Sequence, residues 1–306
     1  MGPTVFIDTL GCRTNIADSS QLGKQLTASG YALVADPAGA DVVLINSCTV
    51  TSGADRDVGK ALRRQRRDNP GQLLVVTGCL PAANGRHRVL EDADLAIPGN
   101  DPAAVVASIH RAIALAGRLE PAIPGKLSPR GYEDASGLTR ATIKIHEGCD
   151  CHCTYCIVPA ARGCPASRPV DVVLADVEGA LAAGFQELVI AGTHLARYGL
   201  ERGEEDGLVR LMEQLERYSD RCRLRLSSLE PDARLEGIVE RLAGNSCWCP
   251  HLHLALQHGS DKILAEMHRP YRFAEVRRTL EQVARQLPEA NVGADFMVGY
   301  PTEDES

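Results

Sequence analysis

Asp41-Val42-Val43-Leu44-Ile45-Asn46-Ser47-Cys48 places four apolar residues in an unbroken row between polar neighbours. The run is too short for a buried helix and lacks the alternation of a strand with one wet face. It predicts a strand covered on both faces, as in a parallel sheet. Working outward, Val5-Phe6-Ile7-Asp8-Thr9 and Leu73-Leu74-Val75-Val76-Thr77 read the same way. Helical periodicity fills the gaps, over residues 17–29 stopped by Gly30 and over residues 54–67 closed by Asn69-Pro70. This alternation predicts an α/β fold whose first part, residues 1–117, is a Rossmann-like parallel-sheet domain.

Residues 118–138 are rich in Pro, Gly and Ser without periodicity, which predicts a linker. From residue 139 the alternation resumes. Strands are expected at 141–146, 187–191, 223–227, 251–256 and 293–298, with helices near 170–183, 208–218, 232–242 and 273–285. Five such repeats predict a partial (β/α) barrel of the TIM type over residues 139–306. The chain ends at Glu303-Asp304-Glu305-Ser306, directly after a strand and a Gly-Tyr-Pro turn, so the barrel is expected to be incomplete.

The 306 residues are 44% hydrophobic and 24% charged, enough to bury real cores and unlike a disordered chain. No apolar run approaches the ~20 residues a bilayer requires, and no basic stretch followed by an apolar run opens the chain. A membrane protein is ruled out on this reading, a secreted one is disfavoured, and a cytoplasmic one is expected. The net charge of −7 argues against strong sequence-independent binding to nucleic acid by the chain as a whole. Arg63, Arg64, Arg66 and Arg67 cluster locally and read as a solvated helix face.

The eleven cysteines are the informative excess, because a cytoplasmic chain keeps thiols for metals, nucleophiles or packing rather than for disulfides. Cys12, Cys48 and Cys79 each follow the carboxyl end of an expected parallel strand, and such ends share one sheet edge where ligands bind. Taken singly each is a candidate buried structural cysteine. The threefold repetition points to a metal cluster held at three corners. The second set is local, Gly148-Cys149-Asp150-Cys151-His152-Cys153-Thr154-Tyr155-Cys156. A mononuclear zinc site is one reading of these spacings. Cys149, Cys153 and Cys156 on one loop also suit three corners of an iron–sulfur cubane, at the mouth where barrel sites lie.

Cys149-x-x-x-Cys153-x-x-Cys156 resembles the radical S-adenosylmethionine signature. The longer text through Ile157-Val158-Pro159, Arg162-Gly163 and Ser167-Arg168 is similar to the methylthiotransferases in particular. So are Thr9-Leu10-Gly11-Cys12, Asn46-Ser47-Cys48-Thr49-Val50 and Val76-Thr77-Gly78-Cys79, and the likeness spans essentially the whole chain. Ala54-Asp55-Arg56, the stretch from Gly192-Thr193-His194 to Tyr198-Gly199, and Leu226-Ser227-Ser228-Leu229-Glu230-Pro231 look like the subgroup acting on N6-threonylcarbamoyladenosine in tRNA. Members acting on isopentenyladenosine or on an aspartate of a ribosomal protein are the alternatives within the family. A non-catalytic zinc-binding α/β remnant is the alternative outside it.

The resemblance implies a transferase that adds a methylthio group to C2 of the modified adenosine next to the anticodon. It implies two [4Fe–4S] clusters, one on Cys149, Cys153 and Cys156 that binds S-adenosylmethionine, and an auxiliary one on Cys12, Cys48 and Cys79. Side-chain acid–base catalysis is not expected, because the cofactors carry the chemistry. Gly192, Thr193, His194, Ser227, Ser228, Glu230 and Gln257 end expected barrel strands and are candidates for contacting S-adenosylmethionine. Helix capping is the competing role for Ser227 and Ser228. The implied partners are tRNA and an electron donor such as flavodoxin or ferredoxin, for a monomeric chain. Cys151, His152, Ala160-Ala161 and Cys164 depart from the family's usual text, and its small RNA-binding β-barrel is expected to be absent. Cys222, Cys247, Cys249 and Trp248 are assigned to packing, His146 and His152 to packing or surface.

Overall fold

The computed structural model describes residues 2–115, 139–231 and 234–304. The expected linker, residues 118–138, lies outside the described residues. Contacts divide the chain into two units. One comprises Met1–Leu138 with Ala160–Arg162, and the other Thr139–Pro159 with Gly163–Ser306.

In the first unit, the apolar runs become β1 (Thr4–Thr9), β3 (Val42–Ser47) and β4 (Leu73–Gly78), flanked by the two-residue strands β2 (Ala32–Leu33) and β5 (Leu95–Ala96). The sheet is parallel throughout, in the order β2-β1-β3-β4-β5. Its helices are α1 (Arg13–Ala28), α2 (Ser52–Asp68), α3 (Cys79–Ala83) and α4 (Pro102–Leu115). Successive residues of a strand point to opposite faces, so Val42 and Leu44 join a core with Leu22 and Leu26 of α1 and Val105 and Ile109 of α4. Val43 and Ile45 join Val58 and Leu62 of α2 on the other side. Every residue of β3 is buried, as its unbroken apolar text requires. Leu44→Ala would cost about 2–5 kcal/mol in such a site.

The helix expected from residue 17 starts four residues earlier, at Arg13. Asn15, a poor helix former, is held there because its amide donates to Leu10 O at 2.9 Å and Ser47 O at 3.0 Å. The expected helix from residue 54 starts at Ser52, with Thr51 Oγ1 accepting from Ala54 N at 3.1 Å as its cap.

The second unit runs through β6 (Ala141–Glu147), α5 (Val158–Arg162), β7 (Ala166–Ser167), α6 (Val170–Ala182), β8 (Glu187–Gly192), α7 (Gly207–Leu215) and β9 (Arg223–Leu226). It continues with α8 (Leu235–Gly244), β10 (His251–Gln257), α9 (Asp261–Glu266), α10 (Phe273–Gln286) and β11 (Asn291–Phe296). The last three residues of α5, Ala160–Arg162, belong to the first unit. Strands β6, β8 and β9 are parallel neighbours, as are β10 and β11. Bridges Leu224↔Trp248 and Leu229↔Leu254 carry the sequence of strands across from β9 to β10. This is the consecutive parallel order of a barrel wall.

Three differences from the expected elements have local causes. The short antiparallel β7 covers the edge of β6, which no periodicity announces in two residues. The last strand lies two residues earlier than 293–298, because pairing begins at His251↔Asn291. Gly299 then turns with a positive φ of 78°, and Glu303 accepts from its N–H. The helix expected at 232–242 begins at Leu235, and Asp232 is outside the described residues.

Candidate functional site

Two groups of thiols stand out, one in each unit, and all eleven cysteines are free. In the first unit, β1, β3 and β4 are sheet neighbours, so Cys12, Cys48 and Cys79 follow the carboxyl ends of three adjacent parallel strands. Cys12 is exposed at the N-cap of α1, while Cys48 and Cys79 are buried. Glycines permit the approach. Gly11 has φ of +120°, and a Cβ there would stand 2.7 Å from Cys48 Cβ and 3.2 Å from its Sγ. Gly78, at φ of +99°, faces the Ser47 backbone in the same way.

Electrostatics ties the three thiols together. Burial pushes the Cys79 thiol up to about 11, against the pull of the Arg162 guanidinium, and the thiols of Cys48 and Cys12 push it further. Cys48 is raised mainly by burial. The thiols of Cys48 and Cys79 are therefore held in the protonated form. Arg162 donates to Asn15 Oδ1 at 2.5 Å and to Asp18 Oδ2 at 3.1 Å, and Asn100 donates to Asp18 at 2.9 Å. Arg162, paired with Asp18, thus brings a buried positive charge near the thiols of Cys48 and Cys79.

In the second unit, the loop between β6 and α5 carries Cys149, Cys151, Cys153 and Cys156. Gly148 opens it at φ of +72°, where any Cβ would run into the Cys164 carbonyl. The loop is fixed by Cys149 N–H to Gly163 O at 3.0 Å and by Thr154 N–H to Met267 O at 3.2 Å. Cys151 N–H donates to Cys149 Sγ at 3.4 Å, and Cys149, Asp150 and Cys151 bring their ligand atoms within 4.8 Å of one another. The contact between the two thiol side chains pushes Cys149 up, against the pull of that backbone N–H, while the same thiol contact and His194 draw Cys151 down. Arg197 donates to Cys151 Sγ at 3.5 Å and pairs with Asp150 at 2.9 Å.

The remaining candidates from the sequence sit at the strand ends around this loop. Gly192 is the last residue of β8, and a Cβ there would meet His146 Cβ at 2.9 Å. Thr193 N–H donates to His146 O at 3.2 Å, and His194 Nδ1 stands 3.3 Å from Glu230 Oε2. Ser227 N–H bonds Ile190 O at 2.9 Å, and Ser228 Oγ bonds His253 Nδ1 at 2.9 Å. Neither serine caps α8, whose N-cap is Arg234. Gln257 ends β10 at a positive φ of 69°, a conformation that costs energy for a residue with a Cβ and recurs at functional sites.

Arg162, Arg197 and Arg269 have contacts that sequence reading did not assign. Arg269 Nη1 lies 3.4 Å from Cys153 Sγ, yet nothing in Met267-His268-Arg269-Pro270-Tyr271 separates a buried arginine from a surface one. Cys222, Cys247 and Cys249 are buried, as is Trp248, which donates to Glu216 at 3.0 Å. His146 is fully buried, and His152 is exposed.

Each trio offers three soft thiols, and the loop after β6 carries a fourth in Cys151, whose sulfur lies within 4.8 Å of the ligand atoms of Cys149 and Asp150. That donor chemistry fits an iron–sulfur cluster with one iron left open. Gly11, Gly78 and Gly148 let the chain pass closely against Cys48, Ser47 and Cys164.

Residues 4–97 match the uncharacterized protein family UPF0004, and residues 143–306 match the radical SAM superfamily. The chain is 32% identical to the threonylcarbamoyladenosine tRNA methylthiotransferase MtaB of Aquifex aeolicus, covering 98% of this chain and 74% of that one. It is 29% identical to the tRNA-2-methylthio-N(6)-dimethylallyladenosine synthase of Methylacidiphilum infernorum, covering 99% of this chain and 68% of that one. Among solved structures, the radical S-adenosylmethionine methyltransferase TsrM of Kitasatospora setae superimposes with a TM-score of 0.68 at 15% identity. That match covers 99% of this chain and 71% of TsrM, a likeness of fold.

Proposed function

The chain belongs to the radical S-adenosylmethionine methylthiotransferase family, and we propose that it adds a methylthio group to C2 of N6-threonylcarbamoyladenosine beside the tRNA anticodon. The observation that carries the proposal is the placement of the cysteines: Cys12, Cys48 and Cys79 follow three adjacent parallel strands in one unit, and Cys149, Cys153 and Cys156 share the loop after β6 in the other. The text at Ala54-Asp55-Arg56, from Gly192 to Gly199 and from Leu226 to Pro231 supports the threonylcarbamoyl substrate.

Cys149, Cys153 and Cys156 would hold one [4Fe–4S] cluster, and Cys12, Cys48 and Cys79 the other. Bound there with S-adenosylmethionine, these groups supply the one-electron chemistry and the sulfur that replacement of an aromatic C–H requires. The protein's own residues bind, orient and exclude water. Gly192 and Thr193, at the end of β8, offer backbone and a hydroxyl beside His146. His194 and Glu230 hold each other at the ends of β8 and β9, where Glu230 can meet an ammonium group. Ser227, Ser228 and Gln257 offer polar groups along the same rim. The partners in this reading are tRNA and a one-electron donor such as flavodoxin or ferredoxin, for a monomeric protein working in the cytoplasm.

The similarity to a dimethylallyladenosine synthase favours a second reading, in which the isopentenyl-type adenosine is the substrate. Anaerobic reconstitution with iron and sulfide, followed by dithionite, S-adenosylmethionine and each undermodified tRNA, separates the two. Gain of a methylthio mass on the threonylcarbamoyl tRNA alone is expected. Gain on the isopentenyl tRNA alone overturns the substrate. A colourless protein holding a single zinc in place of about eight irons overturns the enzyme.

A further inference from the structure

Arg269 reaches the cluster loop from outside the cysteine signature. The turn after α9 ends in the left-handed conformation at His268, with φ of 57°, and so folds the chain back toward the loop. Four contacts stitch this turn to the loop. Thr154 N–H donates to Met267 O at 3.2 Å, Thr154 Oγ1 to Glu266 O at 3.3 Å, and His268 Nδ1 lies 3.2 Å from His152 O. The fourth is Arg269 itself. Its Nη1 stands 3.4 Å from both Cys153 Sγ and Tyr155 Oη, its Nε 3.1 Å from Tyr271 Oη, and its Nη2 3.1 Å from Ala255 O.

All three guanidinium nitrogens are thus committed, and the plane is set by a fork that lysine cannot reproduce. Tyr271 is itself pinned, donating to Leu256 O at 2.6 Å, and it also lies beneath the guanidinium, whose centre is 5.0 Å from the ring centroid. None of the four hydrogen-bond partners of the guanidinium is a carboxylate. Its charge also acts on the nearby Glu230 carboxyl, but the one sulfur it hydrogen-bonds is that of Cys153, which is buried.

We infer that Arg269 tunes the cluster held by this loop, donating to the Cys153 thiolate and raising the reduction potential of the cluster. The inference rests on the reading that Cys149, Cys153 and Cys156 hold a [4Fe–4S] cluster. Reduction adds one negative charge to a group already carrying three thiolates, in surroundings that screen poorly. A fixed cation and a hydrogen bond to a ligand sulfur favour the more negative state. Arg269 acts on the cluster through Cys153 and is a positioning residue.

The experiment uses the full chain with Cys12, Cys48 and Cys79 replaced by Ser, so that one cluster remains, reconstituted anaerobically with iron and sulfide. Iron is counted, and the midpoint potential is read by dye-mediated titration with dithionite in this parent and in R269K and R269Q. The parent is expected to hold about four irons. R269Q is expected to titrate at a more negative potential, with R269K between the two. A loaded R269Q with the parent's potential, or equal shifts in R269Q and R269K, overturns the inference. If R269Q loses its iron, retention by R269K supports a requirement for charge. Loss from both overturns it, because the shape of the guanidinium would then be what holds the loop. A parent that binds no iron overturns the cluster reading instead.

Discussion

His194 Nδ1 and Glu230 Oε2, 3.3 Å apart, join the end of β8 to the turn after β9 beside the loop that carries Cys151. Burial raises the Glu230 carboxyl above its ordinary range, and the nearby charges of His194 and Arg269 pull it back. Burial there disfavours the charged form, so an arriving ammonium group would stabilise the carboxylate and be held by it. Glu230→Gln should weaken binding of S-adenosylmethionine to the reconstituted protein roughly ten- to a hundredfold, the loss of one charge-assisted hydrogen bond of about 1.5–3 kcal/mol. Equilibrium dialysis reads the affinity and an iron assay run beside it checks that the clusters remain. Unchanged affinity at full iron content would remove Glu230 from the cofactor's contacts.

The two trios should fail differently. Cys149→Ala, Cys153→Ala or Cys156→Ala should each abolish reductive cleavage of S-adenosylmethionine. Cys12→Ala, Cys48→Ala or Cys79→Ala should leave cleavage measurable and stop methylthio transfer. Chromatography of 5′-deoxyadenosine and mass analysis of tRNA nucleosides separate the two outcomes. Methylthio product from any variant of the second group would show that its trio does not hold the sulfur-carrying cluster.

How far the sequence could be read follows from what each feature costs. The unbroken run Val42-Val43-Leu44-Ile45 could only be a strand buried on both faces, so β3 and its neighbours were legible along with the three cysteines beyond their ends. That Cys149, Cys153 and Cys156 share one loop between β6 and α5 was legible because their spacing is local. Arg162 and Arg269 were not, since a guanidinium is recognised as buried only when its partners are known, and Asn15 and Cys153 lie 147 and 116 residues away. β7 was equally hidden, because two residues on a sheet edge leave no period to detect.

Arg162 and Asp18 form a buried ion pair at 3.1 Å, their side chains 5% and 0% exposed, close to Cys79. Removing one partner of such a pair strands the other charge and costs about 3–5 kcal/mol. Arg162→Met should therefore lower protection of the β3 and β4 amides in hydrogen exchange by a comparable free energy, in the metal-free protein. Asp18→Asn should do the same, and the double variant should lose much less than the sum. Additive losses would show that the pair does not act as a unit.

His146 is wholly buried at the end of β6, and desolvation, reinforced by the charge of neighbouring His194, lowers its pKa from 6.5 to about 4. A histidine depressed by folding stays neutral in the native state while the unfolded chain takes up a proton. Its contribution to stability is complete above the unfolded pKa of 6.5 and is lost as pH falls from there to about 4. The loss approaches about 3 kcal/mol at the acid end of that window. Trp248, the single tryptophan of the chain, is buried in the same unit and reports its unfolding by fluorescence. Urea titrations of the metal-free protein at about pH 7.5 and about pH 4.5 should show a larger drop in the parent than in His146→Gln, by about 2–3 kcal/mol. The variant loses packing at both pH values, so only the difference between the two drops bears on the titration. Equal drops would mean that His146 takes up its proton in the folded state, and that the contact with His194 tolerates two positive rings.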